Sequence, residues 1–215
     1  MVNVTRKEDC CGCAACVQVC PKSCITMVRD AEGFDYPKAD SERCISCGLC
    51  EKVCPVSHAQ AEPAGEPKAF AAYGPDKDRA VSSSGGIFAQ LARQTLAQGG
   101  LVFGAAMAED SKTAVHMAID SEGDLPRLQG SKYLQSHVGN CFRQAKEALE
   151  AGRAVLFTGT PCQIEGLLHF LGRDYESRNG GCDLPWRSLG KALAKIPGLP
   201  AAPLWFQSHP GILPG

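Results

Sequence analysis

The chain has 215 residues, with 22 basic against 23 acidic side chains, a formal net charge of -1, and thirteen cysteines. That length suits a small module plus a second domain of ordinary size, and the balanced charge leaves no field to attract nucleic acid or an anionic membrane. No stretch approaches the ~18 apolar residues of a membrane helix, so a soluble protein is expected.

Eight cysteines fall into two copies of one pattern, Cys10-x2-Cys13-x2-Cys16-x3-Cys20-Pro21 and Cys44-x2-Cys47-x2-Cys50-x3-Cys54-Pro55. This is the ligand spacing of a bacterial-type ferredoxin with two 4Fe-4S clusters, in which the fourth cysteine of each run serves the other cluster. The expected sets are Cys10, Cys13 and Cys16 with Cys54, and Cys44, Cys47 and Cys50 with Cys20. Zinc modules usually hold two Cys-x2-Cys pairs a dozen or more residues apart and do not repeat three close cysteines plus Cys-Pro. A disulfide framework needs an oxidising compartment, yet no apolar signal segment precedes Cys10, so a reduced, cytoplasmic protein is expected. Cys11, Cys24, Cys141, Cys162 and Cys182 lie outside this scheme; Cys11 and Cys24 read as small packing residues.

Residues 1–56 form the cysteine module. Ile25 to Val28 and Phe34 to Tyr36 flank the turn-like Asp30-Ala31-Glu32-Gly33, which predicts a hairpin between the motifs. Residues 57–68, with two prolines and no apolar periodicity, read as a linker, and a second domain begins near Ala69. A helix is expected after Ser82-Ser83-Ser84, capped by a serine hydroxyl, with Ile87, Phe88, Leu91, Thr95 and Leu96 on one face and Gly99-Gly100 as its stop. Leu101-Val102-Phe103 and Ala114 to Ile119 read as strands, and Cys141 to Glu150 as a helix closed by Gly152. Ala154 to Phe157 then reads as a buried strand, Thr158-Gly159-Thr160 as a tight loop, and Pro161 to Leu171 as a helix with proline in its first turn. Such a strand-to-helix junction offers free N–H groups and a positive dipole end to a phosphate, and the same dipole is expected to favour a Cys162 thiolate. His58, His116, His137 and His169 have no metal-site spacing and read as surface or edge residues.

Three segments together, Ser82-Ser83-Ser84-Gly85-Gly86, Gly130-Ser131-Lys132-Tyr133-Leu134-Gln135-Ser136 and Phe157 to Ile164, resemble the coenzyme F-420 hydrogenase/dehydrogenase beta-subunit family, from about residue 5 to residue 176. The resemblance implies an oxidoreductase subunit, a flavoprotein in which FAD passes electrons between the clusters and a deazaflavin-type or other small-molecule hydride acceptor or donor. It places Ser84, Gly85, Gly86, Ser131, Lys132, Thr160, Pro161 and Cys162 around the flavin. A flavin takes hydride pairs and releases single electrons, whereas each cube moves one at a time. The rival reading is a non-enzymatic dicluster ferredoxin whose second domain docks a redox partner protein.

The expected fold is α+β: a two-cluster ferredoxin-like module, then an incomplete α/β flavin-binding domain over residues 69–176. The resemblance stops there, because the family continues into a region with a Cys-His-Gly-Val-Pro-Ser motif. Residues 177–215 instead hold six prolines and six glycines, a density unsuited to a packed core. Codons can be chosen for Leu184 to Ile196 so that the string, read one nucleotide later, encodes that motif. An out-of-frame, disordered tail is therefore expected, with at most a fraying helix over Ser188 to Ile196.

Overall fold

The computed structural model describes Val2, residues 6–57 and 73–172, and the backbone of 192–195. The expected linker beyond Ser57, the onset of the second domain near Ala69, His58, Cys182 and nearly all of the expected tail lie outside the described residues.

The N-terminal module is a mixed α/β unit. Helix α1 (Ala15–Val19) precedes an antiparallel hairpin of β1 (Ile25–Arg29) and β2 (Asp35–Ala39), and α2 (Leu49–Lys52) follows. Asp30 sets the hairpin: its Oδ1 accepts the N–H groups of Glu32 and Phe34, both at 3.0 Å, and Gly33 takes a φ of +91°. That side-chain turn holds Phe34 in the loop, so β2 starts at Asp35, one residue later than the sequence suggests.

The second domain is a five-stranded mixed sheet in the order β5-β4-β3-β6-β7. Its strands are β3 (Leu101–Met107), β4 (Ala114–Ile119), β5 (Ser136–His137), β6 (Val155–Thr158) and β7 (Ala192–Lys195). β3 runs parallel to β6 and antiparallel to β4. Alternation along the strands divides the core between the two faces. Val102, Ala106 and Leu156 meet Ala89, Leu91 and Ala92 of α4 (Ile87–Ala97), together with Leu125 and Leu128 of α5 (Leu125–Leu128). On the other face Phe103, Val155 and Phe157 pack against α6 (Cys141–Glu150) and α7 (Pro161–Leu171) through Phe142, Ala145, Ile164 and Leu167. Cys13, Ala15 and Val53 of the module belong to that same apolar cluster.

Two expectations are corrected. No serine caps α4: Gly86 is its N-cap at φ +77°, without a side-chain hydrogen bond. Gly86 packs so closely on Asp78 and Arg79 that a Cβ there would stand 3.1 Å from backbone atoms, while Ser82 and Ser83 are bonded elsewhere. In the tail, Ala192–Lys195 is strand β7, antiparallel to β6, rather than helix. The outer edge of β6 offers unpaired backbone groups, and four residues free of glycine and proline can pair with them.

Candidate metal centre

The two cysteine runs repeat in backbone conformation as well as spacing. Gly12 and Ser46 hold equivalent places and have φ of +64° and +54°; Ala14 and Gly48, two residues further on, have φ of +60° and +75°. Alternating left-handed residues curl a loop so that its N–H groups turn inward, a conformation suited to anionic sulfur. Ser46 N–H accordingly points at Cys44 Sγ, 3.4 Å away, and Gly12 N–H makes the matching bond to Cys10. Two of these four positions are not glycine, so the strain is held by the surrounding loop.

Cys20, Cys24, Cys44, Cys47 and Cys50 line one open hollow, walled also by Ile25, Ile45 and Leu49. Cys20 and Cys50 are buried, Cys47 is exposed, and Val2 N–H reaches Cys50 Sγ at 3.1 Å. Cys24, expected as packing, is buried in this cluster with its sulfur 3.4 Å from Cys20 Sγ.

The other set sits against the second domain. Burial, with Cys10 and Cys54 close by, pushes the Cys16 thiol up to about 12. Cys10 is raised by burial and by Cys54. A metal that takes Cys10 and Cys16 as ligands must displace those protons. Cys13 turns toward α7: a Cβ on Gly166 would lie 3.0 Å from its sulfur. Among the described residues no three His, Cys, Asp or Glu side chains converge on a single point. A cube presents its irons at separate corners and takes sulfurs spread around a volume.

The seam between module and domain is specific. Gln18 Oε1 accepts from Phe142 N–H at 2.9 Å, and Arg143 Nε donates to the Gln18 carbonyl at 2.7 Å. A side chain on Gly12 would collide with the Gln135 amide. His137 Nδ1 stands 3.0 Å from Asp35, which also pairs with Arg29 at 3.2 Å.

Sequence reading missed the support beneath the Thr158-Gly159-Thr160 loop. His116, expected at the surface, is 7% exposed and stacks on Phe157 with centroids 5.4 Å apart. Its Nε2 donates to the Thr158 carbonyl at 2.9 Å, which leaves Nδ1 to accept from the Ser136 hydroxyl at 2.9 Å. Gln163 Nε2 donates to Ser136 Oγ at 3.0 Å, and its Oε1 accepts from Thr160 N–H at 2.9 Å, half of a capping box. The Thr160-x-x-Gln163 spacing was the legible signal for that box. Cys162 at the helix start has its thiol raised, by contact with the Cys11 thiol and then by burial. Both effects act against the thiolate expected there.

The residues that the resemblance gathers around a flavin fall into two groups. Ser83 Oγ accepts from Ser131 N–H at 2.8 Å, which joins the loop of Ser84, Gly85 and Gly86 to Ser131 and Lys132. Lys132, whose ammonium is disfavoured by burial, spends its Nζ on the carbonyls of Gln129 at 2.7 Å and Arg127 at 3.1 Å. Thr160, Pro161 and Cys162 lie at the start of α7, with Cys162 Sγ 3.8 Å from the Cys11 carbonyl oxygen. Between the two groups, Gln163 Nε2 donates to Ser136 and so ties the segment of Ser131 and Lys132 to the start of α7.

Residues 9–58 match the model of a 4Fe-4S dicluster domain, and residues 40–98 match a second 4Fe-4S dicluster domain model. The N-terminal region is thus a dicluster ferredoxin-type module, and its role is iron–sulfur electron transfer. Both matches contain the second cysteine run, and the coenzyme F-420 resemblance finds no support in them. No curated protein matches the chain. No helix among the described residues is long and apolar enough to cross a membrane.

Proposed function

We propose that the chain holds two 4Fe-4S clusters in crossed sets, Cys10, Cys13, Cys16 with Cys54 and Cys44, Cys47, Cys50 with Cys20, and carries electrons for an outside redox partner protein that docks on the second domain. The observation that carries this reading is the presence of Cys20, from the first run, on the wall of the hollow that Cys44, Cys47 and Cys50 line. Such cubes move one electron at a time at low potential, on the order of -400 mV for all-cysteine ligation. Gly12 and Ser46 aim N–H groups at sulfur, which eases the added negative charge and raises the potential. Exposed Ile45, Leu49 and Cys47 mark the side a partner reaches. Cys13, in the apolar seam under Gly166, directs the other set inward. A reduced cytoplasmic setting suits this many free thiols.

The resemblance would add FAD and a deazaflavin-type or other hydride carrier. The Ser83–Ser131 and Gln163–Ser136 bonds support it, since together they draw the three motifs to one another. Lys132 and Cys162 speak against it, because one is committed to carbonyls and the other to Cys11. The non-enzymatic dicluster carrier with a docking domain is therefore the reading favoured for this chain. Anaerobic reconstitution tests it: about eight irons and eight sulfides per chain are expected, with reversible bleaching on reduction and little bound flavin. One or two metal ions per chain would overturn the cluster assignment, and stoichiometric FAD would restore the flavoprotein.

A further inference from the structure

Cys11 and Cys162 lie far apart in sequence, yet they meet at the seam. Cys11 sits between two expected ligands of the inner cluster, Cys10 and Cys13. Cys162 is on the first turn of α7, its sulfur 3.1 Å from Thr160 Oγ1 and 3.8 Å from the Cys11 carbonyl oxygen, which brings the two residues together at the seam. Both are half-buried, so neither is sealed in the core. No cluster ligation uses either one.

We propose that Cys11 and Cys162 form a reversible disulfide that stores the two electrons carried by the two clusters. This inference rests on the cluster assignment above. The stoichiometry closes: the Sγ–Sγ bond breaks on receiving two electrons, one from each cube, and two protons from water, leaving two thiols. In the reverse direction two thiols give two electrons to the cubes and two protons to water, and the bond forms. All-cysteine cubes of this type sit at lower potential than most exchangeable protein disulfides, so electrons run from the clusters to the sulfur pair. The capping box of Thr160 and Gln163 holds Cys162 in place opposite the Cys11 backbone. Oxidation also ties the module covalently to α7, and reduction releases that tie.

The test uses the full chain, reconstituted with iron, oxidised anaerobically with a one-electron dye, quenched in acid with an alkylating reagent and digested. Mass spectrometry should find a Cys11–Cys162 linked peptide in the oxidised sample and both cysteines alkylated after dithionite reduction. Reductive titration should take about four electrons per wild-type chain, two for the cubes and two for the disulfide, and about two for Cys162→Ser and for Cys11→Ser. Cys141→Ser, which removes a thiol buried at the start of α6, should keep the value of four. Iron-replete protein without the linked peptide, or with equal uptake in wild type and both serine variants, overturns the relay alone. Protein that binds no iron overturns the cluster assignment and the relay with it.

Discussion

The module and the second domain are stabilised by different means. The domain buries Phe103, Phe142 and Phe157 completely, with Phe103 and Phe157 stacked at 5.3 Å, between a sheet and two helices. The module has Ile25 and a group of cysteines where a core would be, and its larger apolar residues Val28, Phe34, Ile45 and Val56 are exposed. Apolar burial alone can therefore fold the domain, whereas the module depends on its metal centres and on the seam. The inner half of the module, with Cys13, Ala15 and Val53, belongs to the domain's core; the outer half, around the hollow, does not.

The sharpest way to break this contrast is to strip the iron. Chelation should unfold the module around residues 20–54, seen as loss of amide protection, because cluster binding carries folding energy on the scale of ~10 kcal/mol known for structural metal sites. The domain's sheet should keep its protection, and equal loss in both regions would end the comparison. Next in size, Phe157→Ala should cost about 3–5 kcal/mol by opening a cavity beneath the loop that carries Cys162. Thermal melting of the domain reports it, and the outer cluster should survive below the lowered transition.

Gly166→Ala acts at the seam. The new methyl would stand 3.0 Å from Cys13 Sγ and 3.2 Å from its Cβ, so about 1–3 kcal/mol of overpacking is expected. The inner cluster should become labile to chelator while the outer one keeps its spectrum. Equal lability would mean that the seam does not hold Cys13.

The smallest effect is a pH dependence. Burial lowers His116 below its ordinary 6.5. In the unfolded chain the imidazole binds a proton near 6.5, but the folded one does so only at lower pH. As pH falls below 6.5 the unfolded state holds more protons, and stability declines by at most ~1.4 kcal/mol per pH unit until the folded value is reached. Protonation would also take from Ser136 its acceptor at Nδ1. Melting curves of wild type and His116→Gln between pH 7.5 and 5 should diverge, the variant being flatter.

Much of this architecture was legible because it is local. Cys141–Glu150 and Pro161–Leu171 fall where apolar spacing, Pro161 and Gly152 place them, and the hairpin follows from the turn chemistry of Asp30 and Gly33. Crossed ligation is an expectation from spacing; the hollow brings both Cys20 and Cys24 beside Cys44, Cys47 and Cys50. What sequence could not supply is set by partners distant along the chain. His116 carries no mark of burial, since its place depends on Ser136, Phe157 and Gln163. Ser83 was expected to cap a helix but serves Ser131, because Gly86 already makes the turn. Cys11 read as packing until α7 brought Cys162 to it. Strand β7 depends on an edge that only the folded sheet presents.

Crossed ligation is tested most directly in a background that lacks Cys44, Cys47 and Cys50, all changed to serine, where the one remaining cluster is held by Cys10, Cys13 and Cys16 plus a fourth thiolate. Iron analysis and the electron paramagnetic resonance of the reduced protein should show about four irons and one cube. Adding Cys54→Ser should abolish that cube, whereas adding Cys20→Ser should leave it unchanged. Loss of the cube with Cys20→Ser and its survival with Cys54→Ser would contradict the crossed sets.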